Sequence, residues 1–301
     1  MRLQCAAFAL LTVLLFPSSS NIVGRDRSAA IHEAMVLGSD GRMTIEEYAA
    51  AHVADGGDVG AEIQRLKSEF SGVGLLDCGG LSSTAQLTGA NDVITFAGPT
   101  QFGENCEDYR NRKDRCSFKP VFLDHPAVMV DYRSIQSQCE KGNSRMDWAV
   151  ARLKRPVKGA RYFKVPKEDV RWRRRTEILQ ISAYHDKNFR NGDRRPTLQR
   201  CSIRVANFLT NPDLHDCDTD EGSSGSAQVD PDPDREPSGS GAGSHTIFAV
   251  NVREGNGQET APGTPEALLK DYDFDAVMGR SNASVPVAGA FRQAILKAIR
   301  K

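Results

Sequence analysis

The chain has 301 residues, enough for one large or two small domains. Charged residues make up 26% and hydrophobic residues 39%, the balance of a soluble globular protein. Its 39 basic and 39 acidic side chains cancel, which removes any bulk attraction to nucleic acid or to a membrane surface.

The N-terminus opens with Arg2, an apolar run from Cys5 to Phe16, and then Pro17-Ser18-Ser19-Ser20. A charged start, a short apolar core and small residues at a cut site predict a secretory signal over residues 1–20. The run is too short to span a bilayer comfortably. The mature chain is therefore expected to be secreted or periplasmic and free of the membrane. With Cys5 set aside, Cys78, Cys106, Cys116, Cys139, Cys201 and Cys217 remain. An even number of cysteines in an exported chain suggests disulfides, and sequence alone does not choose among the pairings. Cys201 and Cys217 are the expected pair, because both flank a serine-rich segment. No Cys-x-x-Cys spacing occurs, so neither a metal site nor a cofactor is expected.

Residues 21–71 read as a helical N-terminal extension or propeptide, with helix expected from about residue 26 to 70. Thr44-Ile45-Glu46-Glu47 has the form of a capping box before Tyr48 and Val53. Ile63, Leu66 and Phe70 recur at helical spacing. Asp40-Gly41 and Glu47 also resemble half of a calcium loop. The preceding positions, Val36 and Gly38, offer no side-chain oxygen, so a capped helix is the better reading.

From about Gly72 short apolar runs alternate with Gly, Asn, Asp and Pro. The runs are Ala85 to Leu87, Val93 to Phe96, Val128 to Tyr132, Trp148 to Leu153, Ile178 to Ser182, Cys201 to Val205 and Thr246 to Val252. Short strands with turn signals between them predict an all-β sandwich or barrel. At the C-terminus, Ala290, Phe291, Ala294, Ile295 and Ala298 line one face of an amphipathic helix over residues 287–301. Arg152 to Arg175 is rich in bases, with only Glu168 and Asp169 as acids, and Asp213 to Glu236 is nearly as lopsided toward acids. Both blocks are expected to be solvated surface. Residues 230–241, with Asp-Pro repeats followed by Ser and Gly, are expected to form a long loop.

Three segments carry a resemblance. Ser82 to Gly89, followed by Asn91 to Thr95, looks like a strand pair leading to a catalytic histidine. Asp147-Trp148-Ala149-Val150-Ala151-Arg152-Leu153 looks like an aspartate strand, and Asp218 to Ser226 looks like a serine turn. In order and spacing the chain from about Gly72 onward resembles the trypsin-like serine peptidases, especially the secreted bacterial branch that includes glutamyl endopeptidases. The resemblance implies an all-β fold of two packed antiparallel six-stranded β-barrels over residues 72–286, with the site in the cleft between them. It assigns Ser224 as the nucleophile, with the backbone N–H groups of Ser224 and Gly222 as oxyanion donors. It assigns Asp147 to orient and charge-stabilise the base. Phe248 to Val252 resembles the strand lining the specificity pocket. Asn251 stands where glutamyl peptidases place a histidine, so no preference for acidic side chains follows.

The histidine itself is missing. The family strand ends Thr-Ala-Ala-His, whereas this strand reads Thr95-Phe96-Ala97-Gly98-Pro99. Glycine cannot take a proton, so position 98 supplies no base. His32, His52, His125, His185, His215 and His245 remain, each expected to be an exposed loop or terminal histidine. A base must come within hydrogen-bond reach of the nucleophile, which nearness in sequence does not guarantee. The expected protein is a secreted, monomeric peptidase homologue, inactive or impaired, that binds a peptide or protein in the former cleft. An active serine endopeptidase working through Ser224 with a displaced base is the alternative. A surface-interaction protein is the third reading. Asn282-Ala283-Ser284 is a glycan acceptor sequence if the host glycosylates exported chains.

Overall fold

Strands too short to stand alone must pair at both edges or bury an edge, and this chain solves the problem by closing two sheets. The computed structural model describes residues 40–54, 56–98, 116–138, 147–171, 176–184, 193–205, 213–219, 222–231, 245–253 and 282–300. All of them lie in the compact unit of residues 32–301. The expected signal over residues 1–20, Cys106, Cys139, His32, His185 and the part of the expected loop from residue 232 on lie outside the described residues.

The first barrel contains β2 (Val73–Cys78), β3 (Ser82–Leu87), β4 (Val93–Phe96), β5 (Cys116–Pro120), β6 (Val128–Ser137) and β7 (Ala149–Leu153). They close in the order β2-β3-β4-β7-β6-β5, and every pairing is antiparallel. Leu76, Ala85, Leu87, Ile94, Phe96, Phe118, Val128, Val130, Ala149 and Ala151 fill it, alternating along their strands. Cys78 and Cys116 face each other across β2 and β5 and form a disulfide.

The second barrel contains β8 (Glu177–Ser182), β9 (Thr197–Val205), β10 (Asp213–His215), β11 (Ala227–Val229), β12 (Ile247–Arg253) and β13 (Asn282–Pro286). The order β9-β10-β13-β12-β11-β8 closes through the β8–β9 pair. Cys201 bonds to Cys217, the pair expected from their flanking positions. β1 (Met43–Thr44) adds to β9 outside the ring.

One face of these strands carries Leu179, Ile181, Leu198, Leu214, Ala227, Val229, Val250, Ala283 and Val285, which pack with the helices and the first barrel. The opposite face is largely polar: Gln180, Gln199, Asp213, His215, Gln228, Asn251, Asn282 and Ser284 are all buried. His215 on β10 bonds to Asn251 on β12 although β13 lies between them. Side chains meet across an intervening strand only on a concave face, so this polar row is the barrel's interior. The acidic block is thus not simply solvated surface. Asp213 and Asp218 are buried, and Asp216 pairs with Arg204. Asn282 is buried too, with its amide donating to Cys217 O at 2.6 Å, so the glycan sequence lies inside a strand and offers no exposed acceptor.

The N-terminal region is not one helix over 26–70. Within its described part it is β1 followed by α1 (Ile45–His52) and α2 (Val59–Glu69). Gly56 at φ +81° and Gly57 interrupt the periodicity, and the Asp58 side chain caps α2 by accepting from Ala61 N–H. The capping box is formed: Glu47 N–H donates to Thr44 Oγ1, and Thr44 N–H donates to the Glu47 carboxylate. Asp40 pairs with Arg42, so both carboxylates of the calcium-loop resemblance serve local structure.

The C-terminal helix α3 (Gly289–Ile299) seats Phe291, Ala294, Ile295 and Ala298 in the core. The Phe291 ring stacks on Trp148 with centroids 5.1 Å apart. Phe291→Ala should lower the unfolding free energy by about 3–5 kcal/mol in a denaturant titration, and Phe291→Leu by about 1 kcal/mol.

Candidate active site

The three motif segments meet where the two barrels touch. Gly98 follows the end of β4. A Cβ built on it would lie 3.1 Å from Trp148 O and 3.4 Å from Ala149 Cβ, directly against the aspartate strand. Asp147, just ahead of β7, is 5% exposed, and Trp148 beside it is locked by Phe291. The serine turn, residues 222–226, precedes β11. A Cβ built on its Gly225 would meet Thr84 O and lie 3.2 Å from Ala97 N, next to Gly98.

Thr84 on β3 braces the turn from the first barrel. Its N–H donates to Ser224 O at 3.0 Å, and its hydroxyl donates to Gly222 O at 3.1 Å. The same hydroxyl accepts from Ala183 N–H at 3.0 Å, tying in β8. Gly225 N–H donates to Asn251 O, and Ser226 N–H donates to Ser223 O. The Ser226 hydroxyl also donates to Ser223 O, which leaves the Ser182 hydroxyl to donate to Ser226 Oγ at 2.6 Å. Two glycines are required. Gly222 sits at φ +93° with the Tyr184 ring where a side chain would go, and Gly225 sits at φ +88° with Thr84 O there.

Asn251 lies beneath the turn, fully buried. Its amide N–H donates to Ser223 O at 3.2 Å, and its Oδ1 accepts from His215 Nε2–H at 3.0 Å. His215 Nδ1 accepts from Cys217 N–H at 3.2 Å, so the ring is the neutral Nε2–H tautomer. Burial is the main cause that pushes its pKa down from 6.5 to about 4, outweighing the bond to Asn251.

The other described histidines are also engaged away from Ser224. His52 bonds to Tyr48 O, His125 to Pro126 O, and His245 to Asp230 O and Glu69. His215 and His245 are buried rather than exposed, because each is wrapped by hydrogen-bond acceptors or donors from distant strands. Position 98 itself departs from the family pattern without any backbone demand for glycine. Its φ is outside the left-handed region, and its three nearest neighbours would need to give only a few tenths of an ångström to admit a side chain. Thr84, Tyr184 and His215 were not legible as site residues. Thr84 and Tyr184 show only that they lie beside the predicted strands Ala85 to Leu87 and Ile178 to Ser182, and His215 reads as an exposed loop histidine.

No family model and no curated protein matches the chain. Its fold matches those of solved peptidase structures. A Glu endopeptidase in complex with MPD is 19% identical, aligned over 89% of this chain and 100% of that one, with a TM-score of 0.58. A thermostable serine protease from an extremophilic microorganism is 9% identical over 78% of this chain and 99% of that one, at 0.51. A scabies mite inactivated protease paralogue is 11% identical over 78% of this chain and 96% of that one, at 0.52. The chain thus has the chymotrypsin-like fold of the trypsin-like serine peptidases.

Thr84→Val keeps the shape but removes the donor to Gly222 O and the acceptor of Ala183 N–H. It should cost about 1–3 kcal/mol of stability by urea titration. His215 will make stability depend on pH. Below pH 6.5 the unfolded chain gains a proton that the buried ring refuses until about pH 4. Stability from this group is therefore complete above 6.5 and falls by about 3 kcal/mol as the pH drops through that window. His215→Gln should remove that slope when urea titrations at about pH 7 and about pH 4.5 are compared.

Proposed function

We propose that this chain is a secreted, monomeric peptidase homologue that has lost ordinary catalysis and uses the former active-site cleft to bind a peptide or protein. One observation carries the reading. The serine turn, with Gly222 and Ser224, is braced by Thr84 against the strand end that carries Gly98, beside Asp147, yet position 98 has no imidazole. In this reading Asp147 and Ser224 hold the triad positions, and Gly222 and Ser224 supply the oxyanion N–H groups. Asn251 supports the substrate-binding wall from beneath. No cofactor or metal takes part, and no nucleic acid is a partner. The fold likeness to an inactivated paralogue is consistent with a cleft kept after chemistry is lost. The two disulfides among the described residues suit an oxidising compartment, in line with the signal read over residues 1–20.

Chemically, a serine hydroxyl without a general base stays protonated and weakly nucleophilic. Loss of one triad member removes most of the rate and leaves roughly 10³–10⁴-fold over water from binding and the oxyanion hole. A peptide phosphonate that labels active serines separates the readings. The parent chain should label slowly or not at all, Gly98→His should label at least about a hundredfold faster, and Gly98→His with Ser224→Ala should not label. Fast labelling of the parent that vanishes in Ser224→Ala would overturn the reading in favour of an active enzyme with a displaced base. Gly98→His that folds, as shown by an unchanged circular dichroism spectrum, but never labels would also overturn it.

A further inference from the structure

Asp218 lies four residues before Gly222, so at about 3.8 Å per residue its Cα is within roughly 15 Å of the turn. It is 2% exposed, deep for a carboxylate. Its Oδ2 accepts from Gln199 Nε2 at 2.9 Å, and its own N–H donates to Gln199 Oε1 at 2.9 Å. The same Oδ2 accepts a third bond from Gly41 N–H at 2.7 Å, across 177 positions of sequence. That contact continues into a docked segment. Arg42 is buried beside Asp40, Met43–Thr44 pairs with Leu198 and Thr197 of β9, and Thr44 caps α1. Further along, Arg200 Nε donates to Tyr48 OH at 3.0 Å. Glu69 meets His245 Nε2 at 3.3 Å, and Phe70 stacks on the same imidazole.

These attachments land on β9, on Asp218 ahead of the serine turn and on His245 ahead of β12. We propose that residues Asp40–Thr44 are a built-in strap whose Gly41 N–H holds Asp218 and so positions the turn that presents Gly222 and Ser224. Asp218 and Gly41 are positioning residues here, acting through the backbone rather than on a ligand. A buried carboxylate that loses one of its donors must find water or another partner, and what can give is the stretch between disulfide-bonded Cys217 and the turn. The strap therefore stays with the folded protein, and a cut upstream of residue 40 leaves the turn in order while loss of residues 40–44 releases it.

The test is hydrogen exchange by mass spectrometry on the full chain. Gly41→Pro removes the N–H. Gly41→Ala keeps it, with the added methyl 3.1 Å from Gln199 Nε2 and 3.4 Å from Asp218 Oδ2, a contact that asks each to give by a few tenths of an ångström. Asp218→Asn keeps an acceptor but loses the charge. Gly41→Pro should speed exchange over residues 213–229 by about tenfold or more, as expected for one lost bond to a charged group, with β5 and β6 unchanged. Gly41→Ala should match the parent, and Asp218→Asn should fall between. Unchanged exchange over 213–229 in Gly41→Pro overturns the strap. So does a rise of equal size in β5 and β6 in both Gly41→Pro and Asp218→Asn, because the segment would then stabilise the fold at large.

A second readout rests on the proposed function. In the Gly98→His chain, Gly41→Pro should slow phosphonate labelling of Ser224 by about tenfold. If Gly98→His never labels but the exchange result holds, the functional reading fails and the strap stands. If labelling and exchange both ignore Gly41→Pro, the strap fails alone.

Discussion

One threonine joins the halves of this molecule where it matters. Thr84 belongs to the first barrel, yet its backbone and hydroxyl bind Ser224 O, Gly222 O and Ala183 N–H of the second. A turn with two glycines in left-handed conformations is intrinsically loose, because glycine surrenders more backbone freedom on folding than other residues. Contacts from a neighbouring barrel restrict it without relying on the turn's own residues. Tyr184 and Thr84 occupy the space where side chains on Gly222 and Gly225 would go, so the turn's shape and its surroundings require each other.

Beneath the turn the second barrel is filled in an unusual way. Its interior carries amides, hydroxyls, a neutral imidazole and two carboxylates beside a small apolar cluster of Ile178, Ile203, Ala249 and the Cys201–Cys217 disulfide, while a larger apolar set faces outward under the helices and the first barrel. Buried polar groups are tolerable only when paired, and the pairs here run between strands: Gln228 with Gln180, His215 with Asn251, Gln199 with Asp218. Such a network is directional where an apolar core is not. It ties β10 to β12 across β13, and through Asn251 it reaches Ser223 O of the serine turn from below. The price of that arrangement is sensitivity to protonation at His215.

In the proposed reading, the chemistry and the architecture part at one position, Gly98. Everything that shapes an oxyanion site and an oriented carboxylate is built into strand ends and turns, whereas the proton acceptor is a single side chain. Gly98 does not adopt a left-handed backbone, and a Cβ there would lie 3.1 Å from Trp148 O, so its neighbours would need to give only a few tenths of an ångström. On that proposal the scaffold keeps its cleft after losing turnover, and binding is the role that the cleft retains.

Local features were readable along the chain: the Val93–Phe96 strand, the Thr44–Glu47 capping box, the amphipathic α3, the serine turn and the absence of histidine at 98. Each depends on residues a few positions apart, so the side-chain pattern alone carries it. The Cys201–Cys217 bond was also anticipated, from the way the two residues bracket one segment. Strands β2, β5, β10, β11 and β13 were not legible, being short or rich in polar residues whose burial depends on neighbours. The same holds for the burial of His215, His245 and Asp218, for the break between α1 and α2, and for the contact of Gly41 with Asp218. Those were decided by tertiary structure alone, because closing a barrel brings together residues far apart in sequence, and only then does a polar side chain find the partner that makes its burial affordable.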